Sequence, residues 1–251
     1  MIELMPVQTV GDISKVVGDL VQETGGLRWW FRGETKTSHN LTPSGKREGY
    51  SLKHEQRFYN EFYCRAGTRH ARCPSESDLA GWLSLMQHYR LPTRLLDWSS
   101  SPLVAAYFAV EESEKTVGDA CIWALAPAAL NESQGFEPLL YPLSAKSLRP
   151  LLRPAKKGDD TTDKIIAAMA VEADTRMQMQ QGAFTVHSSS TPLNLLADSD
   201  KWLRRFTVPT KCVSTLRREL RLLGYRADYL FPDLEALAKE LKMLIRPPGS
   251  P

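Results

Sequence analysis

The sequence predicts an α+β fold in which a mixed or antiparallel central sheet is flanked by helices. Three observations predict it. Helical patterns come in groups around a few short apolar runs, with no βαβ rhythm. Four of those runs, "LRWWFRG", "DACIWALAP", "GAFTVHSS" and "KWLRRFTVP", have the length and bulk of buried strands. Neither a GxGxxG nor a GxxxxGK[ST] loop is present, so the standard nucleotide-binding folds lose support.

Taken in order, "DISKVVGDLVQE" is an amphipathic helix with Asp12 as its expected N-cap, and "LRWWFRG" is a strand stopping at Gly33. "LTPSGKREG" is turn chemistry. "KHEQRFYNEFYCRAG" is helical with Phe58, Tyr59 and Phe62 on one face. "ESDLAGWLSLMQHYR" is a second helix, capped by Ser77 or Asp78. Pro92 disfavours helix at Leu91, so a sharp turn is expected there, with Arg94 and Asp97 close enough to pair across it. Ser101 before Pro102 starts the helix "LVAAYFAVEE". The Pro- and Leu-rich stretch from Tyr141 to Pro154 reads as an irregular linker, and "GDDTTDKIIAAMAVEAD" as a helix. The chain closes with "VSTLRRELRLLGY", stopped by Gly224, and "PDLEALAKELKML", opened by Pro232 and Asp233. One domain is expected over residues 1–245, followed by a flexible tail at 246–251.

Composition sets the outer limits. With 251 residues, 42% hydrophobic and 24% charged, the chain can bury a substantial core. A net charge of +3 permits a nucleic-acid partner without demanding one. Cys64, Cys73, Cys121 and Cys212 lack CxxC spacing or a histidine pair, so no metal site is expected; reduced thiols and a cytoplasmic location are. The apolar runs are too short to span a bilayer.

Four constellations carry chemistry. Arg32 ends an apolar strand before Gly33, where its planar fork could meet a phosphate or carboxylate and Gly33 would let a ligand approach; a structural pair with Glu34 or Glu55 explains it equally well. His88 and Tyr89, followed by Thr93, Arg94, Asp97 and Trp98, could stack on or hydrogen-bond a ring, or form a purely structural turn. Ser101 opens a helix beside two arginines, either as a cap alone or as part of an anion site. "RMQMQQGAF" sets Gln180 and Gln181 before a strand containing Phe184, as ligand-orienting amides or as a solvent-facing turn. The acid-free run Lys146, Arg149, Arg153, Lys156 and Lys157 is a candidate phosphate track or a solvated loop. No Asp/Glu cluster suggests a metal-pair nuclease.

"WWFRGE", "LTPSGKR", "QHYRLPTRLLDWSSSPLVAAYFA", "RMQMQQGAFTVH" and "LFPDLEALAKELK" resemble, in order and spacing, the FRG domain family, named for Phe31-Arg32-Gly33 here. The resemblance runs from about Leu27 to Lys242; Arg90 stands where the family usually has a small residue. It implies a toxin or phage-defence setting, with a cognate antitoxin or defence partner. More distantly, the order of strand-Arg, polar motif and small-residue helix resembles the NAD-binding half of ADP-ribosyltransferases. That likeness implies an ADP-ribosyltransferase-like fold with NAD as substrate and DNA or RNA as acceptor. It assigns Arg32 to the NAD phosphates or ribose. A cofactor pocket follows from Gly33, His88, Tyr89, Thr93, Arg94, Asp97, Trp98 and Ser101, backed by Tyr107 and Phe184. Gln180 or Gln181 falls where those enzymes carry a glutamate. Glutamine cannot act as a general base, so Glu34, Glu55 or Asp97 would have to supply the acid. The rival class is a non-catalytic module that binds a nucleotide or nucleic acid.

Overall fold

The structure, a computed structural model of the chain, describes residues 2–26, 28–111, 118–170 and 175–245. Among them are eight strands: β1 (Ile2–Leu4), β2 (Trp30–Glu34), β3 (Leu95–Ser99), β4 (Ala120–Leu125), β5 (Tyr141–Pro142), β6 (Ile165–Met169), β7 (Gly182–His187) and β8 (Leu203–Val208). They form one sheet in the order β1-β8-β4-β2-β3-β7-β6-β5. Only the outer pairs β1–β8 and β5–β6 run parallel. The expected α+β class and mixed, mostly antiparallel sheet are therefore present.

The helices are α1 (Val10–Glu23), α2 (Leu52–Ala66), α3 (Leu79–His88), α4 (Pro102–Val110), α5 (Pro127–Ser133), α6 (Arg149–Leu152), α7 (Thr175–Met179), α8 (Val213–Leu222), α9 (Ala227–Leu230) and α10 (Leu234–Leu244). Their starts follow the capping rules. Thr9, rather than Asp12, caps α1; Asp12 sits three residues in and accepts from the Thr9 amide at 2.9 Å, closing a capping box. Asp78, Ser101 and Asp233 cap α3, α4 and α10.

The sheet is buried on both faces, and strand alternation divides its side chains between two cores. Leu96, Ile165, Ala167 and Ala183 join the core formed with α1, α4 and α8, whereas Leu95, Ile166, Ala168 and Phe184 join that of α2, α3 and α6. Double burial explains a correction. The "KIIAAMA" segment, expected to be helical, contains β6, because a short apolar run has the same look in a buried strand and a buried helix. The Ile pair, stiff at χ1, suits the strand. The part of that expected helix at 171–174 lies outside the described residues, as does the tail at 246–251.

Two further expectations change. The turn anticipated after Pro92 runs at once into β3, so "LLDWS" is a strand between β2 and β7. The stretch Tyr141 to Pro154 is ordered into β5, α6 and flanking 3-10 turns, with Leu143, Leu148, Leu151 and Leu152 in the second core.

Two details position the site. First, α4 crosses β2 at Gly33: a Cβ there would lie 1.9 Å from the Ala105 carbonyl oxygen and 2.5 Å from the Ala109 amide. Gly33 is thus required by backbone packing, and the expected ligand approach is replaced by a helix. Second, β2 and β3 pair only at Phe31 and Ser99. In that register Arg32 and Gly33 would face Trp98 and Asp97, but the ladder has already ended, and the sheet is split at its centre.

Candidate functional site

A cleft of about 1270 Å³ opens at this split. Arg32 fills the gap where strand hydrogen bonds are missing. Its Nη1 donates to the Asp97 carbonyl at 2.8 Å, while Nε and Nη2 both reach Glu34 Oε1, at 2.8 and 2.7 Å. Strand alternation puts Arg32 and Glu34 on the same side of β2. The other Glu34 oxygen lies 3.0 Å from His39 Nδ1. Burial raises the Glu34 pKa, but the Arg32 guanidinium and the His39 hydrogen bond outweigh it and hold the carboxyl below its ordinary value.

Asp97 is the second carboxylate of the cleft and shifts the other way. Its side chain lines the cleft and remains exposed, but the protein around it raises its pKa against the pull of Arg32, Gln87 and Arg176. Gln87 Nε2 donates to Asp97 Oδ2 at 2.7 Å, and Thr93 Oγ1 donates to Gln87 Oε1. That chain fixes which way the Gln87 amide points. Two of the carboxylates in the cleft, Glu34 and Asp97, are therefore displaced in opposite directions beside the Arg32 guanidinium.

Aromatic residues supply the apolar lining. Trp98 and Phe184 come from β3 and β7, Tyr107 and Phe108 from α4, and Phe231 from the α9–α10 turn. Phe108 meets Phe231 edge-on at 6.0 Å, and the Arg176 guanidinium lies 4.7 Å from the Phe231 ring centre. Burial first, then the Glu111 carboxylate, raises the Tyr107 pKa, so its phenol stays protonated. At the basic end, Lys46, Arg47 and Arg90 join the lining.

Of the residues singled out from sequence, the cleft brings together Arg32, Gly33, Glu34, His88, Asp97, Trp98, Tyr107, Gln180 and Phe184. The others lie elsewhere. Arg94 is 0% exposed and belongs to a buried charge cluster. It donates to Glu55 from Nε and Nη2, to the Leu151 carbonyl from Nη1, and pairs with Asp160 at 3.1 Å. Lys46 completes the cluster at 2.8 Å from the same Asp160 oxygen. The expected Arg94–Asp97 clasp is thus absent, since alternation along β3 sends the two side chains to different partners. Glu55 is committed to Arg94 and cannot serve the cleft. Thr93 acts from behind through Gln87, Ser101 is buried as the α4 cap, and Tyr89 is exposed beside His70.

The glutamines are spent on architecture. Gln180 donates to the Leu230 carbonyl at 3.1 Å and accepts at its own carbonyl from Ser99 Oγ at 2.7 Å. Gln181, at φ 48°, makes the turn into β7, and its side chain accepts from Ser100 Oγ. Cleft residues overlooked in the sequence include His39, Gln87, Arg176 and Phe231. Gln87 and Arg176 stood inside motifs already quoted, whereas nothing local marks His39. Among the described residues no group of three His, Cys, Asp or Glu could hold a metal, and no helix is long and apolar enough to cross a membrane.

The family model for the FRG domain matches residues 27–117, from the approach to β2 to the residues beyond α4. The chain carries an FRG domain over those residues. Arg32, Glu34, Gln87 and Asp97 fall inside the matched FRG segment, while Arg176, Gln180 and Phe231 lie beyond it. No curated protein and no solved structure matches the chain.

Proposed function

We propose that the cleft binds NAD, breaks its nicotinamide–ribose bond and transfers ADP-ribose to a macromolecule, with nucleic acid the favoured acceptor and a toxin or phage-defence role. The observation that carries this reading is the Arg32 guanidinium at the β2–β3 split, beside one carboxylate lowered in pKa and another raised. As the C1′–N bond breaks, nicotinamide leaves with the electron pair and positive charge builds on the ribose. Ionised Glu34 faces that charge. Asp97 is the stronger base of the two and takes the acceptor's proton as its oxygen or nitrogen attacks. Arg32, with Arg47 and Arg90 in the same lining, supplies positive charge for the diphosphate. The aromatic lining excludes water that would compete with the acceptor. Gln180 and Gln181 have no chemical part in this scheme.

A second reading, a nucleotide-binding module without turnover, draws on one observation: both Glu34 oxygens already have partners, Arg32 and His39. Labelled NAD incubated with the protein and with DNA, RNA or cell protein separates the two. Label on one acceptor class, lost in Arg32→Ala and in Asp97→Asn, supports transfer. A raised melting temperature with NAD but no nicotinamide release supports the module. Neither response would overturn both.

A further inference from the structure

An amphipathic helix ordinarily turns its apolar stripe inward. In α10 the arrangement is reversed. Leu234, Leu237, Leu241 and Leu244 are 82%, 41%, 45% and 61% exposed, and the adjoining Ile245 is 75% exposed. The side of α10 that meets the body carries Ala236, Met243 and the buried Glu240, which pairs with Arg221 of α8. A charged contact therefore anchors the helix, and its leucines face solvent. Leu222, Leu223 and Tyr229, on the preceding helices, are exposed as well. So many large apolar side chains, four of them on one helix, exceed the scattered single residues normal on a monomer surface.

The spacing says what kind of surface fits. The four leucines recur at intervals of three, four and three residues, the seam of a paired helix. The stripe is also palindromic about residue 239. When a second α10 is laid antiparallel on a twofold axis there, Leu234 meets Leu244 and Leu237 meets Leu241. Charge follows the same symmetry. Glu235 and Lys242 are seven residues apart on the side of the helix turned away from the leucine seam, so their charges act through the polarity of the helix ends and not as cross-helix ion pairs. Asp233 and Glu235 make the start of the helix acidic, and Lys239 and Lys242 make its later half basic. A parallel pair would place like ends together; an antiparallel pair also opposes the helix dipoles.

We propose that the chain forms a homodimer in which two α10 helices pair antiparallel through this leucine stripe. Asp233, Glu235, Ala236 and Lys239 of the same helix line the cleft, so the dimer seats a second copy beside the cleft mouth. The proposal does not depend on the chemistry assigned to the cleft.

Sedimentation equilibrium over a concentration series of the full chain tests it. The wild type is expected to show a reversible monomer–dimer equilibrium. Leu237→Glu and Leu241→Glu, both at exposed positions, should each weaken it by at least about tenfold. Circular dichroism confirms that these variants remain folded. Glu235→Lys, which removes the acidic start of the helix, should also weaken the dimer, a change that leaves the leucine stripe intact. A wild-type chain monomeric at tens of micromolar, or a dimer indifferent to the leucine changes, would overturn the proposal. A dimer lost in the leucine variants but unaffected by Glu235→Lys would overturn the antiparallel arrangement.

Discussion

Asp97 is held in an environment that favours its neutral form. Since its folded pKa lies above the unfolded value, the folded state binds more protons there, and stability falls as pH rises from the unfolded value through the folded one. Solvent reaches the side chain, which moderates the effect of its charge on stability at neutral pH. Asp97→Asn keeps an acceptor for Gln87 Nε2 and removes the charge whose pKa the fold raises. The variant is therefore expected to melt at a higher temperature than the wild type at pH 7 while losing the proposed transfer activity. A lower melting temperature would show that the charge is net stabilising through Arg32.

At the scale of elements, the decisive contact is the crossing of α4 over β2. Gly33→Ala puts a Cβ against two backbone atoms of α4, neither of which can rotate away as a side chain would. Overpacking of this kind costs about 1–3 kcal/mol or more, so urea unfolding of the variant should show a clearly lower midpoint. A midpoint unchanged from wild type would mean that α4 can lift off the strand freely. The same contact shows what the sequence made legible. Small Ala105 and Ala106 signal close packing, and Ser101-Pro102 signals the helix start, because both signals are local. The strand character of "LLDWS" and "IIAAM" was hidden, since a strand buried on both faces loses the polar alternation that identifies it. Within the site, Arg32, Asp97 and Trp98 were legible from their motif. Arg94 was misplaced because its partner Glu55 lies 39 residues away and only the tertiary fold joins them. Gln180 misled for the same reason: the carbonyl that takes up its amide, at Leu230, is 50 residues distant.

For the whole molecule, acid is the revealing perturbation. His187 is buried behind the sheet split, with Thr185 Oγ1 2.9 Å from its Nε2. Burial, then the positive charges of Lys46, Arg32 and Arg94, push its pKa down to about 3. A depressed histidine is neutral when folded and takes up a proton on unfolding. Its stabilising contribution is thus present above the unfolded pKa of 6.5 and is lost progressively as pH falls towards 3. The slope for one such proton is about 1.4 kcal/mol per pH unit. Glu34, lowered in the fold, adds to the loss below the ordinary carboxylate range. His187→Gln should accordingly lose less stability than the wild type between pH 6.5 and 5, read from paired thermal melts. Equal losses would assign the acid sensitivity to other groups.

The single rung joining β2 to β3 has a mechanical consequence. The core of α1, α4 and α8 draws side chains from both halves of the sheet, but across the middle the strands themselves are tied by the Phe31–Ser99 rung and the Arg32 side chain. The molecule is built like a hinged book with one stitch left in the spine. A guest lying across that spine would act as a rivet. Amide protons on both leaves would then slow together when it binds, including those far from any contact with it.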